Sequence, residues 1–155
     1  MSQSSRRENG LPRRVSVTVL LALFAVPATS AQQPASPYVQ IVGLRSDRGL
    51  LQYCVAARGK AFPNCGSSGA AMGAVSISGG TARIVLPALP SGDYAIAVFH
   101  DANRNKRLDT FAGIPREGYG FSRNPAFRPR APRFEEAAIN LPQSTNTEIT
   151  IRYLF

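Results

Sequence analysis

The chain reads as an all-β protein, a single β-sandwich of about seven strands behind a cleavable signal peptide. Three observations carry that reading. Apolar side chains recur at every second position through several short runs after residue 37, the period of a strand with one buried face. Glycine and proline are frequent, 13 and 12 in 155 residues, and they fall between those runs as turns. No run after the first thirty or so residues has a helical period, and short strands joined by Gly and Pro turns build sandwiches.

The beginning of the chain follows a different pattern. Arg6, Arg7, Arg13 and Arg14 form a basic start, Val15 to Ala28 is an uncharged apolar run, and Ala28-Thr29-Ser30-Ala31 is a small-residue stretch before Gln32-Gln33. That order is the signature of a secretory signal peptide cut after Ala31. A transmembrane anchor needs about 18 or more apolar residues, and this run is shorter and is interrupted by Pro27. The expected product is periplasmic or secreted, with no transmembrane segment in the mature chain. Sec and Tat export both remain open. Residues 32–37 form a short polar lead, and residues 38–155 form the domain.

Losing residues 1–31 removes four arginines and Glu8, so 18 basic and 9 acidic residues become 14 and 8, a net of +6. A basic exported protein is drawn to anionic surface polymers. Nucleic acid is not an expected partner, since no binding motif accompanies the charge. The two cysteines, Cys54 and Cys65, are expected to pair in an oxidising compartment, and closing a loop of this size contributes about 3 kcal/mol. A zinc site there lacks further Cys or His ligands.

Taken in order, Tyr38 to Leu44 is the first strand, with Val39 and Ile41 on one face. Arg45 to Gly49 is a polar turn ending in a glycine suited to positive φ, which predicts a hairpin to the second strand, Leu50 to Ala57. Leu51, Tyr53 and Val55 share one face of that strand. Arg58 to Ala74, rich in Gly and Ser, reads as a long loop pinned at its base by the disulfide, with Phe62-Pro63 tucked against the sheet edge. Val75 to Ser78 and Thr81 to Leu86 read as a pair of short strands around Gly79-Gly80, with Ile84 and Leu86 inward. Tyr94 to His100 is the most strand-like segment, apolar on both faces and therefore central. Arg123 to Arg133 contains three prolines and four arginines, which exclude regular helix or a central strand. Phe134 to Leu141 is read as a strand with Ala137, Ile139 and Leu141 buried. Asn146 to Phe155 closes the domain, with Ile149, Ile151, Tyr153 and Phe155 on one face.

One stretch reads as a site, His100 to Ser122. Asp101, Asn103, Asn105 and Asp109 stand at positions 1, 3, 5 and 9 of a DxNxNxxxD pattern, four of the positions at which an EF-hand-like loop surrounds calcium with oxygen. Lys106 occupies the position where that loop has glycine, and Ala112 stands where it has a bidentate carboxylate. Glu117 is the nearest carboxylate able to fold back. Arg104, Lys106 and Arg107 weaken the local attraction for a divalent cation. The first reading of these Asp and Asn side chains is therefore as turn caps bonded to backbone amides, and calcium is the second. Tyr119 and Phe121 read first as core plugs and second as an exposed platform for a sugar or peptide. His100, the sole histidine, stands beside Asp101, but no nucleophile or paired base is placed near it by a motif.

The segments HDANRNKRLDT and GIPREGYGFS, with FEEAAINL downstream, resemble an exported bacterial family called domain of unknown function 2141. The resemblance covers about Tyr38 to Phe155. It implies an envelope-located immunoglobulin-like or transthyretin-like β-sandwich without an established activity. The family loop runs HDxNxNGxLDT, so Lys106 is a departure that weakens the case for calcium in this chain. The expected function is a non-catalytic binding or structural domain of the cell envelope, taking an envelope protein or ligand through a loop that includes His100, Glu117, Tyr119 and Phe121. The alternative is a calcium-stabilised envelope domain, and a hydrolase around His100 and Asp101 comes last. No cofactor is expected unless that loop takes calcium.

Overall fold

The computed structural model describes residues 37–66, 69–141 and 146–155. The expected signal peptide over residues 1–31 and all of the lead except Pro37 lie outside them. No helix among the described residues is long and apolar enough to cross a membrane.

The protein is all-β. Its strands are β1 (Tyr38–Val42), β2 (Leu50–Ala57), β3 (Ala71–Val75), β4 (Ala82–Val85), β5 (Gly92–Asp101), β6 (Thr110–Phe111), β7 (Ile114–Pro115), β8 (Tyr119–Phe121), β9 (Ala138–Leu141) and β10 (Thr147–Thr150). A single helical turn, α1 (Phe134–Ala137), precedes β9. Eight of these strands make two sheets. One has the order β10-β1-β4. The other has the order β3-β2-β5-β8, and β9 also pairs with β5. The remaining two, β6 and β7, form a small hairpin.

Period-two alternation turns one face of each sheet inward. Val39 and Ile41 of β1, Ile84 of β4 and Ile149 of β10 meet Leu51 and Val55 of β2, Ile96 and Val98 of β5, and Ile139 and Leu141 of β9 in one buried cluster. Each such side chain contributes roughly 1.5–3 kcal/mol by leaving water, which is why the alternation is so regular in these strands. The long strand β5 is central, as its two apolar faces predicted. It pairs with β2 along one side and with β8 and β9 along the other.

Several expectations about pairing are corrected. The first two strands do not form a hairpin. β1 lies between β10 and β4, whereas β2 lies between β3 and β5, so the turn at residues 45–49 carries the chain from one sheet to the other. Gly49 does adopt positive φ, +79°, but the tighter demand is space, since a Cβ there would stand 2.0 Å from the Asp101 carbonyl oxygen. The end of the expected long loop is a strand, β3, in register with β2 from Ala71 opposite Val55 to Val75 opposite Leu51. The expected strand pair around Gly79-Gly80 shrinks to one bridge, Ser78 to Thr81, because β4 turns away to pair with β1. With β3 included, the two sheets hold eight strands rather than about seven.

The segment FEEAAINL divides. Phe134–Ala137 is helical, with Glu136 accepting a hydrogen bond from Arg133 N at 2.7 Å, and the strand begins at Ala138. Ala137, Ile139 and Leu141 are buried as expected. The closing strand ends at Thr150 and runs parallel to β1, leaving Phe155 62% exposed rather than inward.

On the outer face of the five-stranded sheet, Cys54 and Cys65 form the expected disulfide. Phe62 packs with them and Ala56, and it meets Phe121 and Phe134 edge-on. This covers one end of that face and leaves the rest as a trough.

Candidate functional site

β5 ends on His100 and Asp101, and the alternation of the strand sends their side chains to opposite faces. Asp101 is fully buried on the outer side. Its Oδ1 accepts from Asn105 N at 2.9 Å, and its Oδ2 accepts from Lys106 N at 2.9 Å and from the Gln52 side-chain amide at 2.8 Å. Burying a carboxylate is costly unless its oxygens are hydrogen-bonded, and here three donors meet it. Asp101 is the hub that closes the loop.

The other oxygen-bearing side chains hold the same loop. Asn103 Oδ1 accepts from Asn105 N at 3.1 Å, and Asn105 Oδ1 accepts from Arg107 N at 2.8 Å. The side-chain amides of Asn103 and Asn105 donate to the two oxygens of Asp109 at 2.8 and 2.9 Å. Glu117 folds back as expected, and its oxygens accept from Ala102 N at 3.0 Å and Asp109 N at 3.1 Å. The oxygens therefore face N–H donors within the loop. Asn103 and Asn105 turn nitrogen toward Asp109, and calcium coordination would require oxygen there. Among the described residues no group of three or more His, Cys, Asp or Glu side chains is placed to hold a metal.

Three residues of this stretch adopt an unusual backbone. Arg104, Lys106 and Ala112 have φ of 61°, 63° and 49°, in the left-handed region where a side chain costs energy. At Lys106 the carboxylate of Asp101 holds the backbone amide in that turn.

His100 faces the interior. Its Nε2 lies 2.7 Å from the Arg48 carbonyl oxygen, which only accepts, so Nε2 carries the proton. Its Nδ1 lies 2.7 Å from the Tyr153 hydroxyl. Burial raises the Tyr153 pKa, so that hydroxyl keeps its proton. It accepts from Arg45 N at 3.2 Å and is within hydrogen-bond distance of Nδ1. Both ring nitrogens are thus engaged inside the protein, and His100 presents neither to a ligand. Gly118 makes room for this contact, since a Cβ there would stand 2.4 Å from the Tyr153 ring.

Tyr119 and Phe121 occupy the opposite face. The residue between them, Gly120, points inward against Ile149, so their half-buried rings lie on the outer face of the sheet, 5.8 Å apart and edge-on. They are not core plugs. They form one side of a trough of about 680 Å³ over the five-stranded sheet. Leu50, Gln52, Ala97 and Phe99 lie along it, Met72 and Ala74 of β3 line the far side, residues 63–66 of the disulfide loop close one end, and Lys106 and Leu108 close the other. Its volume lies within the range of small-molecule pockets, roughly 300–1,000 Å³.

Of the expected site residues, Tyr119 and Phe121 therefore reach the trough together with both cysteines, while Asp101, Asn103, Asn105, Asp109 and Glu117 shape the loop beside it. Sequence reasoning passed over Gln52, Leu108 and Met72, and it weighed Lys106 only as an obstacle to calcium. The outward positions of β2 were a usable signal, because Leu50, Gln52 and Cys54 already shared a face there. Ser122 was also passed over. It is fully buried, its Oγ accepts from Ile96 N at 2.9 Å and donates to the Ala137 carbonyl, and it thereby ties β5 to the end of α1.

A second pocket, of about 30 Å³, lies between β8 and the segment containing Arg128 and Arg130, and has room for little more than water.

Comparison with curated proteins and with solved structures returns no match to either. Residues 39–150 match the sequence model of a bacterial family described as "Uncharacterized protein conserved in bacteria (DUF2141)", and the chain belongs to that family.

Proposed function

We propose that this protein is an exported, non-catalytic binding domain of the bacterial envelope that takes a small, largely apolar molecule into the trough on its five-stranded sheet. The trough itself carries the reading. Its floor is made of the outward side chains of paired strands, so it exists before any ligand arrives and little ordering opposes binding. The disulfide at one end supports a mature form in an oxidising compartment, and the basic and apolar pattern of the first 31 residues supports export. A non-catalytic role is supported by the internal partners of His100 and by the burial of Ser122.

The test uses mature protein beginning after Ala31 and the neutral dye N-phenyl-1-naphthylamine, whose fluorescence rises on entering an apolar site. Saturable enhancement is expected in the wild type. It should be lost in Ala97→Phe, which fills the floor, with circular dichroism confirming that the variant folds. Absence of enhancement in the folded wild type would remove the proposal.

A further inference from the structure

Resting on the binding reading above, we infer that the trough selects amphipathic anions, molecules with a single apolar chain and a carboxylate or phosphate head, and that Lys106 is the residue that selects them. Three observations meet at this side chain. Among the described residues lining the trough, Lys106 is the sole charged one. The ion pairs among the described residues join Arg58 to Asp93 and Glu135, and Arg130 to Glu136, so no carboxylate is in direct ion-pair contact with Lys106. The nearby carboxylates of Asp101, Asp109 and Glu117 are occupied by amides of the loop.

The position of Lys106 is also enforced. Its φ of 63° is one that a side chain adopts at a cost, and its backbone amide is bonded to the buried carboxylate of Asp101. That fixes its backbone at the end of the trough, where it lines the same apolar surface as Leu108, Phe99 and Ala97. An ammonium with an apolar floor beside it matches one chemistry, an anionic head joined to an apolar chain. A neutral apolar ligand would gain nothing from that charge, and a cationic amphiphile would be repelled by it.

The experiment measures displacement of the bound neutral dye by dodecanoate, dodecanol and dodecyltrimethylammonium, each below its micelle-forming concentration, with direct calorimetric titration of dodecanoate alongside. In the wild type dodecanoate should bind about tenfold more tightly than dodecanol, the effect of one charge-assisted contact, and the cation most weakly. Lys106→Gln should bring dodecanoate and dodecanol to within about twofold, while Arg107→Gln, an exposed cation that does not line the trough, should keep the preference. Equal binding of dodecanoate and dodecanol by the wild type, or an anion preference that persists in Lys106→Gln, would overturn the selectivity and leave the trough as a binding site. Failure of both the dye and dodecanoate to bind would overturn the two readings together.

Discussion

The side-chain amide of Gln52 donates to Asp101 Oδ2 at 2.8 Å, and the same oxygen accepts from Lys106 N at 2.9 Å. One carboxylate thus joins the floor of the trough on β2 to the loop that forms its end wall. The first prediction concerns the removal of that link.

In Asp101→Ala the amides of Asn105, Lys106 and Gln52 lose their acceptor in a region with limited access to water. A loss of roughly 2–4 kcal/mol in urea denaturation is expected, together with faster hydrogen exchange at Asn105 and Lys106 and weaker dye binding. Unchanged stability would mean that the loop is held mainly by Glu117 and the two asparagines.

Lys106→Gly should raise stability by about 1 kcal/mol, because glycine adopts positive φ without the side-chain penalty. The anion preference should vanish in the same variant. Ala112→Gly, at φ 49° in the β6–β7 hairpin and away from the trough, should raise stability to a similar extent and leave binding unaltered. Chemical denaturation together with dye displacement separates the two effects. A Lys106→Gly protein less stable than the wild type would show that the side chain itself anchors the loop.

Reduction of the disulfide should act on both stability and binding. Titration of the denatured, unreduced mature protein should find no free thiol. Replacing Cys54 and Cys65 together by alanine should cost about 3 kcal/mol by the chain-entropy estimate for a loop of this order. Dye affinity should fall as well, since residues 63–66 close one end of the trough. Two titratable thiols in the unreduced protein would contradict the pairing.

Acid should weaken the protein partly through Glu136. A two-pronged contact with Arg130, followed by the hydrogen bond from Arg133 N, lowers its pKa from an ordinary 4.5 to about 2. A carboxyl lowered in the folded state adds stability above its unfolded pKa and loses that contribution as pH falls through the folded value. The contribution is therefore fully present above about pH 4.5 and declines to nothing near pH 2. The gap in thermal midpoint between wild type and Glu136→Gln should shrink over that window. A gap of constant size across it would show that the difference between the two proteins is not electrostatic.

What the sequence by itself determined is the local, periodic part of this protein. Alternation marks Val39 and Ile41, Leu51 and Val55, and Ile96 and Val98 as inward-facing, because a strand with one buried face repeats every two residues whatever its partners are. The two apolar faces of β5 made it central, and the cysteine pair was legible from its count, two in a chain expected to be exported. The Asp and Asn side chains of the loop were legible as caps, since their partners lie within a few residues. The strand β3 escaped because Ala71-Met72-Gly73-Ala74-Val75 has little β propensity of its own and is a strand through its pairing with β2. Partnership between strands, the parallel addition of β10 to β1 and the crossing of the chain between sheets at Gly49 depend on contacts far apart in sequence, and only the tertiary structure decided them. It decided the trough for the same reason, since four strands and two loops contribute to it. In the sequence Lys106 reads as an obstacle to calcium. The fold turns its backbone onto Asp101 and brings the residue to the end of an apolar floor, a juxtaposition that no local pattern encodes.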